Sequence, residues 1–342
     1  MSSRLGTGKL PPELLRSLVL GQLGARRPET LVPATLGVDA AVIAVDADWA
    51  CVLTCDPITT ATSGAGRLAV HVVCNDLAAM GAEPLGVLAT LLFPSGTAAV
   101  SIGALMAEID ATARALNVEV LGGHTEVAPG VNAPLVVMSG VGRAPRDRVL
   151  TAGGGRPGDA LVLTKAAALE GTHVLASDLA ALLQGRGVAE SVLTEARGYG
   201  EELSVVPEAR LAVDLGAMAM HDPTEGGVVG AVWEMAEASG CGFSVSVESI
   251  PVREATRQVC AALGVDPLRL IASGALLIAC QDSGAMVQGL TGHGIPAARI
   301  GALTDLERAR VLVHPEGWAE PVTSVGRDEL YRVLEETSAS AS

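Results

Sequence analysis

The segment "WACVLTCDPITTATSGAGRLAVHVVCNDLAAMGAEP", residues 49–84, contains the succession of elements that indicates the fold class. Its first part, "WACVLTC" (49–55), predicts a β-strand, and "LAVHVVCNDLAAMG" (68–81) predicts a helix of small apolar residues. A carboxylate stands in this apolar surrounding, as Asp76 beside Asn75. A strand followed by a helix is the repeating unit of α/β domains, so the segment predicts helices packed on a sheet.

The same alternation extends through the first half of the chain. "VEVLGG" (118–123) and "APLVVMSGVGRA" (133–144) predict further strands. A second helix is predicted after "FPSGT" (93–97), because apolar residues recur there at spacings of three and four. These residues are Ile102, Leu105, Met106, Ile109, Ala113 and Leu116.

The second half repeats this style without repeating the sequence. Its predicted strands are "ALVLTK" (160–165), "GFSVSVESIPV" (242–252), "GALLIAC" (274–280) and "AARIGALT" (297–304). Its predicted helices lie around 166–183 and 204–213, in "REATRQVCAALG" (253–264) and in "SGAMVQGLTGHG" (283–294). The chain as a whole therefore predicts an α/β (α+β) fold.

Length and a glycine-rich break suggest two domains. A chain of 342 residues exceeds the usual size of one hydrophobic core, and a long single α/β domain is the alternative. The Gly and Pro cluster within residues 148–165 is typical of a domain junction. We predict an N-terminal domain over 1–152 and a C-terminal domain over 153–330. The small polar residues at the end predict a disordered tail over 331–342.

Composition excludes several classes of partner. The formal net charge of -15, from 23 Lys and Arg against 38 Asp and Glu, repels nucleic acid and anionic lipid. No apolar run approaches the roughly 20 residues of a membrane span, and the start of the chain has no apolar signal region. The six cysteines are scattered without a C-x-x-C pair, which indicates reduced thiols. We therefore expect a cytoplasmic protein that binds neither nucleic acid nor membranes.

Three aspartates of the first half stand where strands or turns meet apolar segments. They are Asp39 in "GVDAAVI", Asp56 after "ACVLTC" and Asp76 in "CNDLAAMG". Each alone is explained as a turn former or helix cap. Together they supply the hard oxygen ligands that Mg²⁺ on a nucleotide requires, although their spacing does not prove that they converge.

Two glycine-rich motifs add candidate binding residues. In "GGHTEV", Gly122 and Gly123 allow close approach of the backbone to a ligand, and His124 and Glu126 lie on the same side of a continued strand. A structural role for His124 is the alternative.

In "HDPTEGG", Asp222 fits a helix N-cap, Pro223 the first helical position and Glu225 a capping box. The same helix start, with Thr224, Gly226 and Gly227, also suits phosphate, and Asp222 also suits a metal.

Two lysines are candidates for phosphate contact. Lys9 lies in "GTGKLP", which on spacing alone is a flexible arm but can fold over a phosphate. Lys165 ends the strand "VLTK", and a solvated lysine is the alternative there.

The sequence contains no Walker A loop, and no dinucleotide-binding fingerprint follows the first strand.

Read in order, these motifs resemble the aminoimidazole ribonucleotide synthetase (PurM-like) superfamily, and most of all its HypE hydrogenase maturation branch and AIR synthase-related proteins. The motifs are "GVDAAVI", residues 54–84, "GGHTEV", "LTKAAALEGTHVLASDL" and "HDPTEGGVVGAVWEMAEASG", and the resemblance spans roughly residues 9–310. It implies a two-domain PurM-like fold whose N-terminal sheets pair into a barrel across a homodimer.

The resemblance also implies an ATP site in the cleft between the domains. Mg²⁺ would be held by Asp39, Asp56, Asp76 and Asp222, with Asp76 presented from the first turn of the helix that follows Asn75. It implies catalytic roles for Asp56, Asp76 and Lys165. The nucleotide would contact Lys9, Gly122, Gly123, His124, Glu126, Thr224, Gly226 and Gly227.

The implied chemistry is ATP-dependent phosphorylation of an oxygen of a small-molecule substrate, with a maturation protein as a possible partner. HypE proteins carry a reactive cysteine at the C-terminus, whereas this chain ends in "SASAS", so we expect no self-modification. His124 also stands where many members carry Asp, which leaves the number of metal ions open. The alternatives are an aminoimidazole ribonucleotide synthetase, a thiamine monophosphate kinase and a non-catalytic dimeric platform.

Overall fold

Strands from the two halves of the chain form two separate sheets in the computed structural model, which describes residues 7–59, 64–306 and 309–341. The first sheet has the strand order β1-β2-β3-β6-β4-β5. Neighbours are antiparallel except β4 and β5, which are parallel, and β5 lies at the edge. The strands are β1 (Thr30–Val32), β2 (Ala41–Ala44), β3 (Trp49–Ile58), β4 (Glu83–Phe93), β5 (Glu119–Val127) and β6 (Leu135–Pro145).

The second sheet has the order β13-β12-β9-β11-β7-β10-β8. Only the β12–β9 pair is parallel among these described strands. The strands are β7 (Ala160–Thr164), β8 (Ala217–His221), β9 (Gly242–Ser246), β10 (Leu277–Cys280), β11 (Ala297–Thr304), β12 (Arg310–Val313) and β13 (Ala319–Pro321). The predicted boundary near residue 153 falls between the two sheets and stays a prediction.

Helices alternate with these strands, which confirms the mixed α/β class. They are α1 (Pro12–Leu14), α2 (Ala65–Ala79), α3 (Ala99–Ala115), α4 (Leu169–Asp178), α5 (Ala180–Gly185), α6 (Glu190–Gly198), α7 (Val206–Asp214), α8 (Gly227–Ala238), α9 (Glu254–Leu263), α10 (Ser283–Gly292) and α11 (Glu329–Ala341). Within the described ranges, no helix has the length and apolarity that crossing a bilayer requires.

Helix α2 joins the first sheet to the second half of the molecule. It packs closely on β6, where a Cβ at Gly140 would lie 3.1 Å from side-chain atoms of Val73 and Leu77. The buried Asn75 amide donates to the Leu203 carbonyl oxygen at 2.8 Å and accepts the Val205 N–H at 2.9 Å. These bonds hold the C-terminal end of α2 against the segment that precedes α7. Asp76 follows Asn75 directly and is held in place with it.

The face of the first sheet opposite α2 is apolar and open. On β4, Leu85 and Leu88 are 40% and 42% exposed, and Leu121 on β5 is 51% exposed. On β3, Ala50 and Val52 are buried while Cys55 is exposed, as the alternation of a strand requires. A contiguous apolar sheet face is unusual on a monomer and indicates an interaction surface.

Two predicted helix boundaries are wrong. Helix α2 begins at Ala65 after Gly64 in the left-handed conformation, so Asp76 lies in its last turn and not in the first turn of a new helix. Helix α8 begins at Gly227, and its N-cap is Gly226 at φ 87° without a side-chain cap bond, so the predicted cap by Asp222 is wrong. The positive φ of two successive glycines, 87° and 63°, delays the helix beyond the Asp-Pro pair.

The predicted disordered tail is also wrong for residues 331–341. Helix α11 covers Glu329–Ala341, and its Leu330, Tyr331 and Val333 are buried. Apolar residues at helical spacing dock this segment on the second half of the chain, and the small polar end continues the helix. Ser342 lies outside the described residues. Helix α6, Glu190–Gly198, was not predicted at all.

Candidate active site

A cavity of about 270 Å³ is lined by residues from both halves of the chain. Four of the lining residues are the aspartates of the sequence motifs, Asp39, Asp56, Asp76 and Asp222. Asp39 lies before β2, Asp56 within β3, Asp76 in the last turn of α2 and Asp222 directly after β8. The tertiary structure therefore brings together carboxylates that are up to 183 positions apart, from residue 39 to residue 222.

A hydroxyl group links three of these aspartates. The Thr54 hydroxyl lies 2.6 Å from Oδ2 of Asp76, 3.3 Å from Oδ2 of Asp56 and 3.1 Å from the carbonyl oxygen of Asp39. It has one proton to donate, and the shortest of these contacts is with Asp76. Thr54 was not predicted as a site residue, although it stands two positions before Asp56 on the same strand face.

Burial and mutual repulsion disfavour the charged forms of the aspartates in this cluster. Burial raises the pKa of Asp76 well above its usual value, and the carboxylates of Asp222, Asp56 and Asp39 raise it further. Burial also raises the pKa of Asp222 to about 7, with Asp39 acting in the same direction and His221 against it. A cation placed among these oxygens would reverse both effects.

His221 is held between two carboxylates at the wall of the cavity. Its Nδ1 lies 2.5 Å from Oδ1 of Asp39, and its Nε2 lies 3.0 Å from Oε2 of Glu234 on α8. Burial acts to lower the pKa of His221, but Asp39 and Glu234 outweigh burial and raise it well above the usual value. A charged imidazole in this position orients Asp39 and occupies one of its oxygens.

The remaining oxygens fit a divalent cation. Both carboxylate oxygens of Asp222 and Oδ2 of Asp39 are buried and have no hydrogen-bond partner among the described residues. Ligand atoms of Asp39, His221 and Asp222 lie within 4.8 Å of one another. Carboxylate oxygens are the ligands that Mg²⁺ prefers, whereas both ring nitrogens of His221 lie within 3.0 Å of carboxylate oxygens. The donor set therefore fits Mg²⁺ held by aspartate oxygens.

Comparison with known families agrees with this two-part architecture. Residues 37–144 match the model of the AIR synthase related protein N-terminal domain, and residues 156–314 match that of the C-terminal domain. A carbamoyl dehydratase HypE of Bradyrhizobium diazoefficiens is 30% identical over 244 residues, which are 69% of this chain and 68% of the relative. The chain belongs to the AIR synthase related protein family. The resemblance found in the sequence is thereby confirmed.

Other relatives of this AIR synthase related protein are also HypE proteins. The carbamoyl dehydratase HypE of Azotobacter vinelandii is 29% identical over 287 residues, which are 78% of either chain. Among solved structures, HypE in complex with ATP superposes with a TM-score of 0.70 at 24% identity, and covers 93% of this chain and 96% of its own.

Two further solved structures share the fold. The HypE-HypF complex gives a TM-score of 0.72 at 20% identity, with 91% of this chain and 99% of the other covered. ThiL complexed with AMPPCP and TMP gives 0.72 at 17% identity, with 94% and 99% covered. These two likenesses, and that with the ATP complex, lie below 25% identity and show the fold.

Two predicted nucleotide contacts of this AIR synthase related protein line the cavity. The Lys9 ammonium donates to the Thr224 hydroxyl at 3.1 Å, and the Lys9 N–H donates to Oε2 of Glu225 at 3.0 Å. Surrounding protein acts to lower the pKa of Lys9, but Glu234 and Glu225 outweigh this and raise it. Lys9 thus remains a cation at the mouth of the acidic cavity.

The glycines of "HDPTEGG" serve packing in this protein. The Gly226 N–H donates to Oδ2 of Asp328 at 2.6 Å, and the Gly227 N–H donates to the Thr224 carbonyl oxygen at 3.0 Å. Both N–H groups therefore have partners within the chain. Nucleotide contact by Gly226 and Gly227 stays a prediction.

The structure does not bring the "GGHTEV" residues to the cavity of the same chain. They lie on the edge strand β5, where Nε2 of His124 is 3.2 Å from Oε2 of Glu126 and both side chains are exposed. A Cβ at Gly123 would lie 1.9 Å from the Ala89 carbonyl oxygen, so close pairing with β4 requires glycine there. Nucleotide binding by Gly122, Gly123, His124 and Glu126 stays a prediction.

Lys165 is engaged within the protein. Its ammonium lies 2.7 Å from Oε1 of Glu208 and donates to three backbone carbonyl oxygens, of Glu202, Ser204 and Gly274, at 2.6 to 2.9 Å. Lys165 is not among the residues that line the cavity. All three ammonium donors are thus used within the chain, and the predicted catalytic or phosphate contact of Lys165 stays a prediction.

Proposed function

We propose that this protein is a Mg²⁺-ATP-dependent enzyme that phosphorylates an oxygen of a small substrate and thereby activates it. The observation that carries the proposal is the set of buried carboxylate oxygens of Asp39 and Asp222 without partners, in a cavity shared with Asp56 and Asp76. The HypE relatives, named carbamoyl dehydratases, and the solved HypE complex with ATP support the same chemistry.

The residues of the cavity would have two roles in such a reaction, metal binding and orientation of the metal ligands. Asp39, Asp56, Asp76 and Asp222 would hold Mg²⁺, which when bound neutralises phosphate charge and polarises the transferred group. The His221 imidazolium fixes the orientation of Asp39, and the Thr54 hydroxyl does the same for Asp76. The chain thus supplies position and charge for phosphoryl transfer.

The direct test is ATP turnover followed by phosphorus NMR. We expect slow Mg²⁺-dependent hydrolysis that a substrate carrying the correct oxygen accelerates. A panel of carbamoyl compounds, thiamine monophosphate and formylglycinamidine ribonucleotide distinguishes the HypE-type reaction from the kinase and synthetase alternatives. Absence of turnover with every member of the panel and with Mg²⁺ present would support a non-catalytic platform.

Lys9 supplies the first prediction. We expect Lys9→Met to weaken Mg²⁺-ATP binding about tenfold. An ammonium that faces a triphosphate contributes about 1.5 kcal/mol to the binding free energy through a charged hydrogen bond, and that amount corresponds to about a factor of ten in affinity. Lys9→Arg, which keeps the charge, is the matched control and should stay within about twofold. Calorimetric titration measures both, and equal affinity of the Met variant and wild type would contradict the role.

The open apolar face of the first sheet predicts a homodimer. We propose that Leu88 and Leu121 are covered by the same face of a second copy, because an exposed sheet face of this kind requires a cover. Light scattering should give about twice the monomer mass of 34.6 kDa. Leu88→Asp should give a monomer, whereas Val100→Asp, at a position on α3 that is 78% exposed, should not change the mass. A monomeric wild type would contradict the proposal.

The cysteines predict that the protein does not modify itself. None of the six lines the cavity, and four are buried. Burial raises the pKa of Cys74 and of Cys260 to about 12, which disfavours the nucleophilic thiolate. Cys55 is exposed, but it lies on the sheet face opposite α2.

We expect an unchanged intact mass after incubation with HypF, carbamoyl phosphate and Mg²⁺-ATP, with HypE as the positive control. A carbamoyl or cyano adduct on any cysteine would contradict this prediction. The HypE-HypF complex supports a maturation protein as a partner of this chain as well, and the free thiols suit a reducing cytoplasm.

A further inference from the structure

A groove of about 570 Å³ lies between the two halves of the chain, apart from the aspartate cavity. Its walls come from the strand ends of the first sheet, from the C-terminal end of α2 and from α7. Among the described residues, none lines both this groove and the aspartate cavity. A volume between about 300 and 1,000 Å³ is typical of sites that bind small molecules.

Three arginines from separate parts of the chain line this groove. Arg143 lies near the end of β6, Arg148 lies between β6 and β7, and Arg210 lies on α7. Two acidic residues, Glu83 and Asp214, also line the groove, so three positive charges stand against two negative charges. On a chain with a formal net charge of -15, such a group of guanidinium side chains indicates a local site for an anion.

The three guanidinium groups keep most of their donors for a ligand. Nε and Nη2 of Arg143 lie 2.9 Å from Oε2 of Glu83, and Nη2 of Arg148 donates to Oδ1 of Asp214 at 2.6 Å. Arg210 is exposed and makes no hydrogen bond or ion pair with another described residue. Asp214 follows Arg210 by one turn of α7, so its pair with Arg148 brings the two arginines to the same part of the groove. Each guanidinium has five donors, and at most two are used here.

The groove also has an apolar wall. The Trp49 side chain is 41% exposed, and the guanidinium carbon of Arg143 lies 5.3 Å from the centroid of its ring. This cation–π contact orients the Arg143 guanidinium at the groove. Leu116, Val206 and Val213 also line the groove. A ligand that matches this lining therefore carries both an anionic group and an apolar body.

We propose that the groove binds a small phosphomonoester with an apolar or aromatic body. Arg148 and Arg210 donate to the phosphate, because the planar fork of a guanidinium fits phosphate oxygens, and the body packs against Trp49 and Val213. The ligand contacts both halves of the chain, since Trp49 belongs to the first sheet and Arg210 to α7. Its binding therefore stabilises their packing, and the site does not depend on the proposed function.

Calorimetric titration of the full-length protein with phenyl phosphate in EDTA tests the site, because the aspartate cavity without a cation repels an anion. We expect phenyl phosphate to bind about fivefold or more tightly than inorganic phosphate, which lacks the apolar body, and to raise the melting temperature. Arg210→Ala and Arg148→Ala should each weaken phenyl phosphate binding about tenfold, as loss of a charged hydrogen bond requires. Arg257→Ala, which removes an exposed arginine from another groove, is the matched control and should leave the affinity unchanged.

Absence of phenyl phosphate binding, or an unchanged affinity in Arg210→Ala, would overturn the proposal. Equal affinities for phenyl phosphate and inorganic phosphate would also overturn it, because the apolar wall would then contribute nothing. A glutamate-rich peptide that binds where phenyl phosphate does not would assign the groove to an acidic segment of a partner protein instead. If Arg148→Ala lowers the melting temperature of the free protein through loss of its pair with Asp214, the result for Arg210→Ala decides.

Discussion

Asp76→Asn is expected to weaken Mg²⁺-ATP binding by about 100-fold or more, because the Mg²⁺ ion that holds the triphosphate loses one negatively charged oxygen ligand. Asp76 is 6% exposed, its Oδ2 lies 2.6 Å from the Thr54 hydroxyl, and it shares the cavity with three other aspartates. Asparagine preserves the shape and much of the hydrogen bonding, so the loss is attributable to charge. Calorimetric titration of ATP in the presence of Mg²⁺ measures it.

The same substitution should stabilise the metal-free protein. Burial and repulsion by Asp222, Asp56 and Asp39 disfavour the charged form of Asp76, so a neutral side chain relieves an unfavourable interaction in the folded state. We expect a higher melting temperature than wild type in EDTA. Asp110→Asn, on an exposed helix where Asp110 pairs with Arg114, is the control and should leave ATP affinity unchanged. Full ATP affinity in Asp76→Asn would contradict the metal assignment.

Gly227→Ala is expected to destabilise the protein by about 3 kcal/mol or more. Gly227 has φ 63°, which disfavours alanine, and its Cβ would lie 2.6 Å from the Leu268 carbonyl oxygen and 2.7 Å from that of Leu270. The start of α8 must therefore shift, and with it the loop that carries Asp222. Chemical denaturation measures the free energy of unfolding.

Gly103→Ala provides a matched control for the glycine substitution. Gly103 lies on the exposed surface of α3, and no atom lies within 4 Å of the position of its Cβ. Alanine there should stabilise the protein by about 0.5 to 1 kcal/mol through helix propensity. A wild-type stability of Gly227→Ala would show that the close approach of α8 to the 268–270 segment is not a constraint.

The sequence predicts local elements well where periodicity is strong. The strand at 49–55, the helix over 68–81 and the strand at 297–304 correspond to β3, α2 and β11, because alternation or three- and four-residue spacing reports burial on one face. Helix boundaries were less accurate. At Asp222, the side-chain types of a cap were present, but the positive φ of Gly226 and Gly227 displaced the helix start.

The sequence motifs pointed to the aspartates of the site, but they did not point to the residues that orient those aspartates. Convergence of Asp39, Asp76 and Asp222 depends on how the two halves pack, which no spacing reveals. His221 precedes Asp222 in a motif that was recognised, but its partner Glu234 lies on the next helix. The partners of Lys165 were likewise not predictable, since a lysine at a strand end suggests a phosphate contact and gives no sign of its contact with Glu208.

Anomalous diffraction from crystals grown with Mn²⁺ and a non-hydrolysable ATP analogue tests whether the four aspartates hold the metal of a bound nucleotide. We expect anomalous density within about 2.5 Å of carboxylate oxygens of Asp76 and Asp222, with the phosphates of the nucleotide beside it. Density at another position, such as His124 and Glu126 on β5, with none in the cavity, would contradict this metal assignment.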